Sequence, residues 1–223
     1  MVNENYTDIE IILDASGSMG TIRNDMLGVV NSFVEGMKTN CAGKCTLSLT
    51  KFYGRHVEKV WTFMPLKDVP VLAKEQYIVS GGTPLLDAIG RSIFETKTFI
   101  SSLFEEDRPA RILKIVITDG EENASTQYSA LYIKQLISEC KETGNWEFQF
   151  LGSGSDSFLD AVSIGLDENN YTQWKSTKLG TNVTGSVLTN STVAYSAGER
   201  NAFVNMQLKY DEALSSAELN DSN

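Results

Sequence analysis

Short apolar runs alternate along this chain with apolar residues spaced three or four apart. The first run, Ile9-Glu10-Ile11-Ile12-Leu13, is almost continuous, as in a strand buried on both faces of a parallel sheet, and Asp14 closes it. From Ile22 the spacing changes: Ile22, Met26, Val29, Val30, Phe33 and Met37 form the stripe of an amphipathic helix. Residues 46–52 and 56–63 read as strands joined only by Tyr53-Gly54-Arg55, too few residues for a parallel crossover, so they predict an antiparallel hairpin at a sheet edge. Leu85, Leu86, Ile89, Ile93, Ile100 and Leu103 then trace a long helix, and residues 111–118 a buried strand. A helix over 128–140, a strand over 146–151, a short helix over 158–164 and a short strand over 171–174 complete the alternation.

Strands alternating with helical stripes predict an α/β fold: a doubly wound, mostly parallel open sheet with one antiparallel edge strand and helices on both faces. Past Lys178 only a thin stripe of Val183, Val187, Ala194 and Ala197 remains, read as a helical segment that ends the domain at about residue 210. Residues 211–223 are small, polar and acidic, and are expected to form a flexible tail.

Three segments place oxygen-bearing side chains where such a sheet exposes them. They are Asp14-Ala15-Ser16-Gly17-Ser18 after the first strand, Gly81-Gly82-Thr83-Pro84 entering a helix, and Thr118-Asp119-Gly120 after the 111–118 strand. Singly, each has an ordinary reading: Ser16 and Ser18 as turn or helix-cap residues, Thr83-Pro84 as a helix start, Asp119-Gly120 as a turn. If the first strand and the 111–118 strand flank the point where strand order reverses, however, Asp14 and Asp119 face one another there, with Ser16, Ser18 and Thr83 closing in from the loops. An all-oxygen set of this kind selects a hard cation, Mg²⁺ or Mn²⁺, over zinc or copper.

Asp14-x-Ser16-x-Ser18, Thr83 in its Gly-Gly-Thr-Pro loop and Thr118-Asp119-Gly120 resemble the metal-ion-dependent adhesion site (MIDAS) of von Willebrand factor type A domains, over about residues 8–175. The resemblance implies that Ser16, Ser18 and Thr83 hold the metal directly while Asp14 and Asp119 act largely through water. It implies a divalent-cation-dependent module that binds a Glu or Asp of another protein. An AAA-type ATPase is one partner class it suggests, to which no residue of the chain itself points.

Composition trims the alternatives. The 19 basic and 29 acidic side chains give a net charge of −10, and no segment gathers basic and aromatic residues, so nucleic acid and anionic membranes are poor partners. No apolar run reaches the roughly 18 residues of a membrane span, and Met1-Val2-Asn3-Glu4-Asn5 has neither region of a secretory leader, so the expected location is cytoplasmic. Cys41, Cys45 and Cys140 do not match a zinc site and are expected to be free thiols. A metal-dependent hydrolase or phosphatase on the same residues is the competing class, but the lone His56 is read as a solvated strand residue far from the site, and the three segments contain no Lys or Arg. The remaining alternative is a structural assembly subunit with a vestigial metal site.

Overall fold

The computed structural model describes residues 2–153 and 155–221. Six strands form one sheet: β1 (Asn3–Asp14), β2 (Lys44–Tyr53), β3 (His56–Pro65), β4 (Pro109–Thr118), β5 (Trp146–Gly152) and β6 (Tyr171–Gln173). Their order is β3-β2-β1-β4-β5-β6; every neighbouring pair is parallel except β2 and β3, which form the antiparallel hairpin at one edge. The chain winds from β1 to β2 in one direction and from β4 through β6 in the other, so the order reverses between β1 and β4. That is the expected doubly wound α/β fold.

Among the described residues six α-helices cover the sheet: α1 (Arg23–Asn40), α2 (Leu85–Ser102), α3 (Ala130–Glu142), α4 (Ser155–Ser163), α5 (Lys178–Ser196) and α6 (Met206–Asp221). Side chains alternate across β1. Ile9, Ile11 and Leu13 enter one core with Met26, Val30 and Phe33 of α1, Val187 and Leu188 of α5, and Met206, Tyr210 and Leu214 of α6. Ile12 points the other way, into a second core with Ile89 and Ile93 of α2, Ile133 and Ile137 of α3, and Ala161 of α4. Removing this apolar surface from water is what fixes the strand register, since a one-residue slip would exchange the two faces.

Glu10 interrupts the apolar run of β1 and is fully buried. Lys114 and Lys59 each donate to it at 2.6 Å, Thr50 at 2.6 Å and Ser92 at 2.8 Å. Burial pushes its carboxyl up, but the two ammonium groups outweigh this and hold it well below the usual carboxylate range.

Two expectations are corrected. Residues 211–221 are not a flexible tail: they continue α6, because Met206, Tyr210 and Leu214 recur every four residues and bury one face, while Glu218 pairs with Lys175 at 3.0 Å. The last two positions of that expectation, 222 and 223, lie outside the described residues. Cys41 and Cys45 are not free; a disulfide joins them across the turn between α1 and β2, and Cys140 alone is a buried thiol. Among the described residues, no helix is long and apolar enough to cross a membrane.

Candidate functional site

The carboxyl ends of β1 and β4 lie side by side, Leu13 being in register with Ile117, and their loops leave the sheet where the strand order reverses. Asp14, the last residue of β1, is fully buried. Its Oδ1 accepts the Ser16 amide at 2.7 Å and its Oδ2 the Thr118 hydroxyl at 2.5 Å. Ser16 and Ser18 share a hydrogen bond of 3.0 Å between their hydroxyls, and the Ser18 hydroxyl donates to Asp119 Oδ1 at 2.7 Å. Burial raises the Asp14 carboxyl to about 6 against the bonds from Thr118 and Ser16, and burial also raises that of Asp119.

Thr83 completes the group. A Cβ built on Gly120 would sit 3.2 Å from Thr83 Oγ1, 3.3 Å from Ser18 Oγ and 3.8 Å from Asp14 Oδ2. Glycine thus leaves open a small space onto which oxygens from all three segments converge. All five candidate residues, Asp14, Ser16, Ser18, Thr83 and Asp119, are brought together at this one edge.

The ordinary readings of these residues fare differently. Ser16 stands at the cap position of a short 3-10 turn (Gly17–Thr21), yet its side chain caps nothing. Pro84, not Thr83, precedes α2, and among the described residues the Thr83 hydroxyl makes no hydrogen bond. Asp119-Gly120 does turn the chain, with the Gly120 amide donating to the Thr118 hydroxyl at 3.1 Å. The Thr83 hydroxyl is therefore available to a ligand, and a hard cation is one that its oxygen suits. Among the described residues no three His, Cys, Asp or Glu side chains form a metal cage. The cluster has two carboxylates, and neutral hydroxyls supply the rest of its oxygens.

Sequence reasoning missed the groups that hold this cluster in place. Asn123 clamps Thr83: its Oδ1 accepts the Thr83 amide at 2.9 Å, and its main-chain N–H donates to the Thr83 carbonyl at 3.2 Å. Glu122 accepts the Leu86 amide at the start of α2, the amides of Ala124 and Ser125, and the Ser125 hydroxyl. Asp87 reciprocates, accepting the amides of Thr126, Gln127 and Tyr128. The loop after β1 is also tied to the loop between β3 and α2, since Ala15 O accepts the Ser80 amide, Gly81 O the Gly17 amide, and Asp14 O the Tyr77 hydroxyl. The only early signal for these residues was an acid in the first turn of α2, at Asp87.

His56 stands on β3 and is exposed, as expected, but it is not far from the site. The Gly54 amide donates to Gly82 O at 2.7 Å, so the β2–β3 turn abuts the Thr83 loop, and Arg55 and His56 line a depression there.

No protein-family model and no curated relative matches the sequence. Solved structures do match in fold. A von Willebrand factor type A protein from Catenulispora acidiphila superposes with a TM-score of 0.59 at 17% identity, over 86% of this chain and 43% of that one. Proximal thread matrix protein 1 from the mussel byssus, described with a zinc-occupied MIDAS motif, gives 0.52 at 15% identity, over 75% of this chain and 41% of that one. Manganese-loaded TRAP protein of Plasmodium vivax gives 0.51 at 14% identity, over 76% and 68%. This chain spans less than half the length of the mussel and Catenulispora chains. A six-stranded sheet of this order and a neighbourhood of this kind give one conclusion: the chain has the fold of von Willebrand factor type A domains.

Proposed function

We propose that this chain is a protein-interaction module whose grip depends on a divalent cation, Mg²⁺ or Mn²⁺, held by Asp14, Ser16, Ser18, Thr83 and Asp119. The observation that carries this is the convergence of Thr83, Ser18 and Asp14 oxygens on the open side of Gly120, at the point where the strand order reverses. The metals named for the mussel and Plasmodium proteins are consistent with such a site, and the all-oxygen donor set here favours the harder ions.

In this reading Ser16, Ser18 and Thr83 offer neutral hydroxyls to the ion, and Asp14 and Asp119 supply negative charge behind them. When bound, the cation would present a coordination position to an anionic oxygen, which a Glu or Asp of a partner protein fits. Asn123 holds the Thr83 backbone, Glu122 holds the start of α2 just after it, and Tyr77 and Ser80 hold the backbone around Asp14, so the ligands need little reorganisation. Hydrolysis has less support. Among the described residues, no His or Lys hydrogen-bonds the Ser16, Ser18 or Thr83 hydroxyl, the pairing a nucleophile would need for activation.

Calorimetric titration with MgCl₂ and MnCl₂ tests the proposal. Wild type is expected to show one saturable site, and Asp14→Ala or Asp119→Ala to weaken it at least tenfold, on the order of what loss of a supporting carboxylate costs. Absence of saturable heat in the wild type, or full affinity in both variants, defeats it.

A further inference from the structure

The β2–β3 turn and the loop between β4 and α3 enclose a depression of about 660 Å³ beside the metal-bearing loops, lined among others by Arg55, His56, Ser80, Gly82, Asn123 and Thr126. In a chain with 29 acidic side chains, no Asp or Glu lines it. Arg55 and His56 are both exposed, and among the described residues no carboxylate pairs with Arg55. Asn123 spends its Oδ1 on the Thr83 amide, while its Nδ2 amide and the Thr126 hydroxyl bond to nothing among the described residues. The lining therefore offers one cation, Arg55, and several unused hydrogen-bond donors, with no carboxylate to oppose them.

The floor is backbone. Gly81 has a φ of +68°, and a Cβ on it would come within 2.7 Å of the Gly54 Cα, so the two loops touch main chain to main chain. Gly82 lines the depression and is followed directly by Thr83 of the oxygen cluster. A single extended segment can thus lie across both.

We infer that this depression is a second anion subsite for the partner: the module recognises an acidic segment with two carboxylates, one directed to the metal and the other to Arg55, with His56, Asn123 and Thr126 as further donors. The inference rests on the metal-dependent reading above and adds what that reading lacks, a source of selectivity among partners. A single carboxylate on a metal is a poor discriminator, whereas a second charge at fixed separation sets spacing and register.

Fluorescence anisotropy on the full chain tests it, with labelled glycine-based peptides carrying either one Glu or two Glu separated by zero to four glycines, in Mg²⁺ and in chelator. One spacing is expected to bind about three- to fivefold more tightly than the single-Glu peptide in Mg²⁺, the size of one exposed charge pair. Arg55→Ala should erase that advantage while leaving single-Glu binding and calorimetric Mg²⁺ uptake unchanged, and Arg55→Lys should keep part of it. The inference is overturned if no spacing shows an advantage, if the advantage survives in both Arg55→Ala and the double variant with His56→Ala, or if it persists undiminished in chelator. Failure of the wild type to take up Mg²⁺ would instead overturn the metal reading itself, so the two failures are separable.

Discussion

Asp8 is the buried side chain least well matched to its surroundings. It has no exposed surface, its Oδ1 accepts the Thr46 hydroxyl at 2.6 Å, and its Oδ2 has no partner. Burial raises its carboxyl to about 6, opposed by Lys114 and the Thr46 hydroxyl. Glu10 has the better position, with both Lys114 and Lys59 in direct contact, and Asp8 receives only the distant effect of the same charges. The folded protein therefore binds a proton at Asp8 near pH 6, while the unfolded chain does so only near the ordinary carboxylate value. Between those values the folded state holds more protons, so this group's contribution to stability rises as pH falls through the window and is least favourable above pH 6. A shift of this size corresponds to up to about 3 kcal/mol. Asp8→Asn, which keeps an acceptor for Thr46 but no charge, is expected to be more stable than wild type by roughly 1–3 kcal/mol at pH 7.5, with the difference shrinking towards zero near pH 4. Urea denaturation at the two pH values measures this, and a difference that does not change with pH removes the explanation.

Elements differed in how plainly the sequence announced them, and the reasons are physical. The strands and α1 to α3 were legible because their apolar spacing is their burial. α5 showed only a thin stripe because its buried face is largely Thr, Ser and Gly. Its hydroxyls bond back to carbonyls four residues earlier, Thr181 to Thr177, Thr184 to Gly180 and Thr192 to Leu188, so they pack as small satisfied groups. Gly185 meets Val29 and Gly36 meets Thr189, where a Cβ would come within 2.9 and 2.7 Å, so α1 and α5 approach too closely for larger side chains. α6 carried its signal at Met206, Tyr210 and Leu214, but the polar composition around them obscured it. The five site residues were legible because each lies in a short motif at the end of an element, whereas the clamp made by Asp87, Glu122 and Asn123 depends on contacts across some 36 to 41 positions and has no local pattern. The junction of the Thr83 loop with the β2–β3 turn is a further contact of that kind. Gly81→Ala would place a methyl against the Gly54 backbone and strain a φ of +68°, and neither main chain can withdraw without losing the Gly54–Gly82 bond. It is expected to cost about 1–3 kcal/mol and to weaken Mg²⁺ uptake by about tenfold, since Gly81 O also holds the Gly17 amide. Gly144→Ala is the control: its φ is +78° but nothing lies within 4 Å, so it should cost about 1 kcal/mol and leave metal uptake intact. Equal effects of the two substitutions on uptake would show that contact with Gly54 is irrelevant to the site.

At the scale of the molecule, strands and helices supply nearly all of both cores, and the loop after β1 adds only Ala15 and Met19 to one of them. One is sealed by α1, α5 and α6 and the other by α2, α3 and α4, and of the five site residues only Asp14 belongs to a strand. The oxygen cluster is also bonded internally, through Ser16 to Ser18 to Asp119 and Thr118 to Asp14, so the loops have a defined arrangement of their own. A cation in such a place binds a fold that already exists, and its effect on stability is that of any ligand selective for the folded state. At a free concentration one hundred times Kd, this is about 2.7 kcal/mol. For a chain of this length, 1 kcal/mol moves Tm by roughly 2–4 °C, so chelation should lower Tm by about 5–10 °C while leaving the far-ultraviolet circular dichroism at 25 °C unchanged. Asp14→Ala separates this from a general effect of salt on an acidic protein, because a variant that holds the ion at least tenfold more weakly should lose about half or more of the Tm difference between Mg²⁺ and chelator. Collapse of the dichroism in chelator would mean that the metal is structural, contrary to the arrangement of the two cores. A Tm shift of equal size in Asp14→Ala would mean that Mg²⁺ acts elsewhere on the surface, by screening the excess of carboxylates and not by occupying the space beside Gly120.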